Sequence, residues 1–144
     1  MVKVFMQTVY GDDILMLISY FERNLPLAAV FDGCVISHAE PRRALSRKEL
    51  VCGMGNADVV SSLTWTENNS ALPGSVAAML SSLTGKTRMN SLRYFGGHRP
   101  VKGNYALRQN NLYVQIHNPT LQNITLVYEN KIFDPETDIV NVKK

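Results

Sequence analysis

The stretch from Asn104 to Glu129 reads NYALRQNNLYVQIHNPTLQNITLVYE, and no other stretch says as much about the fold. It contains three short runs rich in β-branched and aromatic residues, the residue types that strands favour. Asn110-Asn111 and Asn118-Pro119 separate the runs, and both pairs are typical of turns. The stretch therefore predicts three consecutive strands that form an antiparallel β-meander.

The N-terminal part of the chain predicts an amphipathic helix. This helix is expected from Asp12 to about Asn24, because Asp12 or Asp13 can cap its first turn and Pro26 stops it. The residues before Asp12 are expected to form a strand or an extended lead-in. Apolar residues recur at helical spacing and should pack on the rest of the fold; they are Ile14, Leu17, Ile18 and Phe21.

The next segment predicts a hairpin. Asp32-Gly33 lies between two short apolar runs, and this pair is a strong signal for a two-residue turn. Strands are therefore expected near 28–31 and 34–37. The later segment 57–66, ADVVSSLTWT, is rich in β-branched residues and could form a further strand.

Two helices are predicted between the hairpin and the C-terminal strands. Ser46 and Glu49 have the spacing of a capping box, which predicts a short helix over 47–52. A second helix should begin at Ser75 and end at Gly85, because glycine readily adopts the left-handed conformation that closes helices.

The sequence as a whole predicts a single α+β domain over residues 1–144. A chain of 144 residues can bury a core without disulfides or metals. Helices are expected mainly in the first two thirds, and the antiparallel meander in the last third. Residues 134–144 are polar and are predicted to be a flexible or partner-clasping tail.

Membrane insertion and secretion are not expected. No apolar run approaches the ~20 residues of a membrane helix. The first residues contain neither a long apolar block nor a signal-peptide cleavage site. Cys34 and Cys52 do not form a metal-binding or redox motif, and we expect both to be reduced thiols.

Charge is segregated along the chain. Residues 68–128 contain six basic side chains and no acidic one, although the net charge of the whole chain is only +3. Such cations must face solvent, pair with acids elsewhere, or contact an anionic partner. The acids available are those of residues 1–67 and the C-terminal Glu129, Asp134, Glu136 and Asp138.

The sequence contains no recognisable catalytic arrangement. Tyr-Gly-Asp-Asp at 10–13 resembles the metal-binding turn of viral RNA polymerases, but no earlier acid is present to complete a two-metal site. His38, His98 and His117 lack metal-ligand spacing, although a pairing of His38 with a cysteine stays open. We therefore expect a non-enzymatic protein with no cofactor, no metal and no small-molecule substrate.

Basic and aromatic side chains alternate between residues 86 and 108. Single-strand binders combine cations that contact phosphates with aromatic rings that stack on bases. Tyr, Phe and Arg also anchor protein interfaces. The candidate residues for binding a protein partner or nucleic acid are Lys86, Arg88, Arg93, Tyr94, Phe95, Arg99, Lys102 and Arg108.

Three features occur together between residues 72 and 138. Leu72-Pro73 precedes the short helix SVAAML, the extended run 104–129 follows, and FDPETD at 133–138 is an acidic ending. In this combination the region resembles tailed-bacteriophage virion proteins of the neck and head–tail connector class. The resemblance implies a ring-forming, non-enzymatic subunit whose basic segment faces an acidic neighbour or the DNA channel.

The main functional prediction is thus a structural or assembly subunit of a bacteriophage virion. It would act by protein–protein contacts, as a homo-oligomer or with other virion subunits, in the virion or the host cytoplasm. The alternative is a small nucleic-acid-binding module that uses residues 86–108. A third hypothesis is a small enzyme with a cysteine or histidine at its centre.

Overall fold

The computed structural model describes residues 2–142 and confirms the α+β class. The helices within this range are α1 (Val2–Arg23), α2 (Arg47–Cys52), α3 (Ala57–Thr64), α4 (Ser75–Thr84) and α5 (Pro135–Asp138). The strands are β1 (Ala28–Phe31), β2 (Cys34–Ser37), β3 (Arg93–Gly96), β4 (Ala106–Arg108), β5 (Tyr113–Gln115), β6 (Asn123–Thr125) and β7 (Ile139–Asn141).

A mixed five-stranded sheet forms the centre of the fold. Its strand order is β1-β2-β3-β5-β4. The two outer pairs, β1 with β2 and β4 with β5, are antiparallel. The inner strands β2, β3 and β5 are parallel to one another, so their carboxyl ends meet at one edge of the sheet.

The two faces of the sheet are covered differently. Val35, Tyr94 and Tyr113 are aligned across the inner strands and point into a buried cluster with helices α3 and α4. Phe95 and Val114, one residue further along, belong to a second cluster on the opposite face. This alternation follows from the two-residue period of a strand. The cores therefore lie on both sides of β3 and β5.

Local signals placed several elements correctly. The predicted hairpin is present as β1 and β2, with Asp32 and Gly33 at φ 32° and 81° in its turn. The Ser46 and Glu49 capping box is formed in full at the start of α2. Helix α4 ends at Gly85, which has a left-handed φ of 69°.

The strand suggested for residues 57–66 is wrong, because most of this segment is helix α3. Asn56 caps the helix by accepting hydrogen bonds from the N–H groups of Asp58 (3.0 Å) and Val59 (3.4 Å). Val59 and Leu63, four residues apart, are both buried on the core side. A cap and one buried face outweigh the weak strand preference of β-branched residues.

The predicted meander is replaced by a different arrangement. β4 and β5 are antiparallel neighbours, but β6 pairs with β7 in a separate two-stranded sheet. The chain leaves the main sheet after β5 and covers its second face, where Phe133 and Ile139 are buried against Phe95. Burying this apolar face favours the crossing over a further strand at the sheet edge.

The sequence predicts a flexible or partner-clasping tail at 134–144, and the flexible alternative is wrong for the residues that the structure describes, while the partner-clasping one stays a prediction. Asp138 and Ile139 are buried, and Ile139 is paired with Thr125 across the small sheet. The ring of Phe133, just before this segment, meets Phe95 edge to face with centroids 5.1 Å apart. Lys143 and Lys144, which end the predicted tail, lie outside the described residues.

Helix α1 begins earlier than predicted and packs differently. Residues 2–10 are helical, so the expected strand or extended lead-in is wrong, and Gly11 breaks the helix with φ 79° and ψ 172°. Asp12 accepts a hydrogen bond from the Gln7 side-chain amide (2.7 Å) rather than from a backbone N–H of the next turn.

The predicted packing of the α1 apolar face is also wrong. Ile14, Leu17 and Phe21 are 42%, 64% and 63% exposed, because the helix does not fold back onto the sheet. Across residues 2–142, no helix is both long and apolar enough to span a membrane.

Candidate functional site

Three histidines converge at one edge of the sheet. His38 directly follows β2, His98 is the second residue after β3, and His117 is the second residue after β5. Since these strands are parallel neighbours, all three side chains lie at their carboxyl ends and line the same cavity. In open sheets that contain parallel strands, ligands bind at this edge.

Backbone hydrogen bonds connect the loops that carry the histidines. The Gly97 N–H donates to the His38 carbonyl (3.0 Å), and the Val101 N–H donates to the His117 carbonyl (2.8 Å). His38 Nε2 lies 3.0 Å from His98 Nδ1. The Trp65 ring meets the His98 ring edge-on at 5.4 Å between centroids. The site is thus built from four separate parts of the chain.

A long cleft passes the histidines. One cavity of about 870 Å³ lies between the sheet and residues 121–127, and its apolar lining includes Phe31 and Phe95. A second cavity of about 1130 Å³ extends past Trp65 to the C-terminal end of α1. Both cavities are lined by His38 and His98, so the histidine pair stands where they meet.

His98, which lines both cavities, and Arg99, the next residue, each carry a buried polar atom. Among the described residues, neither His98 Nε2 nor Arg99 Nε makes a hydrogen bond, although both atoms are buried. The far end of Arg99 forms a long ion pair with Glu67 (3.4 Å), which leaves Nε unaffected. A buried polar atom without a partner is costly, and a bound ligand is one way to satisfy it.

The surroundings of His98 favour its neutral form. Burial lowers its pKa below the ordinary 6.5, and the nearby charges of His38, Arg99 and His117 lower it further. A neutral imidazole carries one proton, so one ring nitrogen donates and the other accepts. If His38 Nε2 donates to His98 Nδ1, the His98 proton sits on Nε2, the nitrogen without a partner.

The described residues do not by themselves form a metal site. Within residues 2–142, no group of three His, Cys, Asp or Glu side chains is placed to hold a metal ion. His38 Nε2 and His98 Nδ1 could share one ion, but two nitrogens are only half of the four ligands that zinc takes. A metal would need further ligands from outside this part of the chain.

The cysteines do not join the histidines. Cys34 is buried at the opposite end of β2, and Cys52 is exposed at the end of α2; both are free thiols. Burial, followed by the charge of Asp32, raises the pKa of Cys34, so its thiol is held protonated. The pairing of His38 with a cysteine, left open from the sequence, is therefore not formed in this fold.

The eight candidate residues between 86 and 108 are not brought together. Tyr94 and Phe95 are core residues, so their rings are not available to a base or a protein partner. Lys86 and Arg93 line a small cavity of about 290 Å³ that also contains Cys34, away from the histidines. Of the eight, only Phe95 lines the histidine cleft, and Arg99 follows His98 in the chain but lines neither cavity.

Half of the cations in the acid-free segment are paired with acids from residues 1–67. The pairs are Lys86 with Asp32 (3.5 Å), Arg99 with Glu67 (3.4 Å) and Arg108 with Glu40 (3.4 Å). Arg93 instead donates to the carbonyls of Asn90 and Leu92. Over residues 2–142 no ion pair involves Arg88 or Lys102.

The sequence does contain a signal for the histidine site. The signal is the apolar run before each histidine, not the spacing of the histidines along the chain. Each one closes an apolar run, in VIS-His38, YFGG-His98 and YVQI-His117. The signal becomes informative only once β2, β3 and β5 are known to be parallel neighbours.

No protein-family model, curated protein or solved structure matches this chain.

Proposed function

We propose that this chain binds an oxyanion of the phosphate type in the histidine cleft. The observation that carries the proposal is the convergence of His38, His98 and His117 at the carboxyl ends of three parallel strands. The cleft is large enough for a small organic ligand, since such pockets span about 300–1,000 Å³.

The chemistry of the unpartnered atoms supports an anion. With the His98 proton on Nε2, both this nitrogen and Arg99 Nε are donors, and they belong to adjacent residues. Phosphate and carboxylate oxygens are acceptors, and guanidinium groups bind them with strong charge-assisted hydrogen bonds. The apolar part of the cavity would hold the organic portion of a phosphate ester.

The same arrangement could act on the ligand it binds. Imidazoles exchange protons near neutral pH, so they are the commonest general acids and bases. A bound phosphate ester would lie beside His98 in its neutral form. The absence of enzymatic activity stays a prediction from the sequence, and hydrolysis of p-nitrophenyl phosphate by the purified chain would overturn it.

Calorimetric titration with inorganic phosphate tests the binding proposal. We expect His38→Ala and His98→Ala each to weaken binding about tenfold or more, because each removes an imidazole that lines both cavities. Lys102→Gln is the matched control, since Lys102 is an exposed cation of the same segment that does not line the two cavities. Equal loss in Lys102→Gln would contradict the proposal, because binding would then be diffuse electrostatics.

A chelator separates this proposal from a metal site. If oxyanion binding depends on the protein donors alone, EDTA leaves the phosphate affinity unchanged. Binding that disappears with EDTA and returns with Mn²⁺ or Zn²⁺ would replace the proposal with a metal site at His38 and His98.

A second proposed function is that of an assembly subunit, and the exposure of α1 favours it. Nine large apolar side chains of α1 are 42–72% exposed. Standard interfaces bury ~800 Å² per partner around a core of such apolar and aromatic side chains. We propose a second copy of the chain as the partner. The more specific role, a bacteriophage neck or head–tail connector subunit in the virion or host cytoplasm, rests on the sequence resemblance over residues 72–138.

Light scattering after size exclusion tests the assembly proposal. The wild-type chain should elute as an oligomer, and Leu17→Lys with Phe21→Lys should convert it to a monomer of unchanged circular dichroism. Val51→Lys is the control, because Val51 is also exposed (73%) but lies in α2. A wild-type monomer at all concentrations would exclude self-assembly.

Nucleic-acid binding stays a prediction from residues 86–108. The burial of Tyr94 and Phe95 removes its stacking residues, while Arg88 and Lys102 stay exposed. A steep fall of affinity with salt, reduced in Arg88→Gln with Lys102→Gln, would support it.

A further inference from the structure

A buried polar network includes Glu40 and Gln115, which lie two residues from His38 and His117 in the chain. Arg108 Nη1 donates to the side-chain oxygens of Gln115 (2.6 Å) and Asn68 (2.7 Å), and it lies 3.4 Å from a Glu40 oxygen. Gln109 Nε2 donates to the other Glu40 oxygen (3.1 Å). Glu40 and Gln115 are only 4% and 1% exposed. Partly buried charges and amides of this kind persist only when their partners are fixed.

Gln115 connects this network to the site. Its side-chain amide donates to the Arg99 carbonyl and, at 3.3 Å, to Asn68. The turn that it contacts has an unusual backbone. His98 has a left-handed φ of 54°, and the Arg99 N–H donates to the Gly97 carbonyl (2.7 Å). A residue other than glycine keeps such a conformation only when its surroundings enforce it.

We infer that Gln115 is a positioning residue for the proposed oxyanion site, acting through the Arg99 carbonyl. Its amide fixes the turn that carries His98, whose side chain lines both cavities. Arg108 and Glu40 in turn fix the Gln115 amide, since Arg108 occupies the Gln115 oxygen and so directs the nitrogen toward Arg99. The expected effect on phosphate affinity rests on the proposed function, whereas the expected effect on the turn does not.

A purely structural role would give a different result from a positioning role. A structural hydrogen bond would lower the free energy of unfolding without changing how the folded protein binds phosphate. A positioning bond loosens the His98–Arg99 turn in the folded protein and weakens phosphate binding even where the protein is fully folded.

The test compares Gln115→Met with Asn68→Ala. Gln115→Met keeps the length of the side chain but removes the donor to Arg99. Asn68→Ala removes a partner of Arg108 and Gln115 but touches no atom of the turn. The readouts are amide hydrogen exchange by NMR without ligand and phosphate affinity by calorimetry. The Arg99 amide reports on the turn, and the Tyr94 amide, bonded to the Leu112 carbonyl in the core, reports on the whole fold.

For Gln115→Met we expect Arg99 exchange to rise about tenfold relative to Tyr94, and phosphate affinity to fall about tenfold. Asn68→Ala should change neither the Arg99 exchange relative to Tyr94 nor the phosphate affinity. Unchanged Arg99 exchange relative to Tyr94 in Gln115→Met would overturn the inference. If the wild-type chain does not bind phosphate, the proposed function fails, while the exchange ratio still decides whether Gln115 holds the turn.

Discussion

His38 Nε2 lies 3.0 Å from His98 Nδ1, although the two residues are 60 positions apart in the sequence. Their contact depends on the parallel pairing of β2 with β3, in which Ile36 is aligned with Phe95. A shift of one residue would turn every side chain of a strand to the other face. The geometry of the histidine cleft therefore depends on the packing of β3 between its neighbours.

Gly96→Ala should disturb that packing. A Cβ on Gly96 would lie 2.4 Å from Tyr113 Oη and 3.0 Å from two further ring atoms. Such overpacking typically costs about 1–3 kcal/mol, which urea unfolding would measure. Gly103→Ala is the control, because a Cβ there meets no atom of the described residues within 4 Å. Similar losses in both variants would contradict the steric explanation.

Tyr113→Phe should partly rescue Gly96→Ala. The Tyr113 hydroxyl is buried and makes no hydrogen bond within the described residues, so its removal alone should change stability little. In the double variant the closest clash is gone, although the ring atoms at 3.0 Å remain. A double variant as unstable as Gly96→Ala would show that the hydroxyl is not the obstacle.

Asp138→Ala should destabilise the protein by roughly 1–3 kcal/mol because it removes a buried acceptor of three hydrogen bonds. Asp138 is 2% exposed and accepts from the Asp134 N–H (2.9 Å), the Thr137 hydroxyl (3.1 Å) and Lys131. Glu129→Ala, an exposed acid just before this segment, should change stability by less than about 0.5 kcal/mol. An Asp138 variant as stable as the wild type in thermal unfolding would show that the C-terminal segment is a loose tail after all.

Ionisation of Glu49 should make part of the free energy of unfolding depend on pH in the acid range. The Ser46 N–H, the Arg43 guanidinium and the Ser46 hydroxyl lower its pKa from 4.5 to about 2. The folded value lies below the unfolded value, so this contribution is complete above pH 4.5 and is lost as the pH falls toward 2. Glu49→Gln should flatten the pH dependence of the unfolding free energy in this window. A Gln variant with the wild-type slope would contradict the assignment.

The elements that the sequence predicts well are those determined by neighbouring residues. The Asp32-Gly33 turn and the Ser46–Glu49 capping box need only local hydrogen bonds and permitted φ angles, and both are present. The parallel order of the inner strands depends on contacts between distant segments, which no turn signal specifies. For the same reason, a separation of 60 residues conceals the contact of His38 with His98.

Helix α1 shows a further limit of local signals. Apolar spacing at Leu17 and Phe21 identifies a helix, and the helix is present, but spacing does not reveal what covers its apolar face. The buried network around Gln115 was missed for a related reason. Nothing in the neighbouring sequence indicates that its amide reaches Arg99, sixteen residues earlier.

The last prediction concerns the titration of His98, followed by NMR of its ring protons. Its midpoint in the free protein should lie below 6.5, because burial and then the charges of His38, Arg99 and His117 disfavour the imidazolium. His38→Gln should raise the midpoint by removing one of these charges, and Lys102→Gln should leave it unchanged. The lowered folded value also means that this histidine reduces stability as the pH falls below 6.5, where the unfolded chain takes up the proton first.

Bound phosphate should shift the same titration upward. An anion next to Nε2 favours the charged imidazolium, so the midpoint should rise with phosphate concentration until the cleft is saturated. By linkage, protonation of His98 and binding of one ionic form of phosphate strengthen each other by the same factor. A midpoint at or above 6.5 without ligand would contradict the burial of His98. A midpoint that phosphate does not move would place the anion elsewhere, because no charge can bind beside an imidazole without changing its proton affinity.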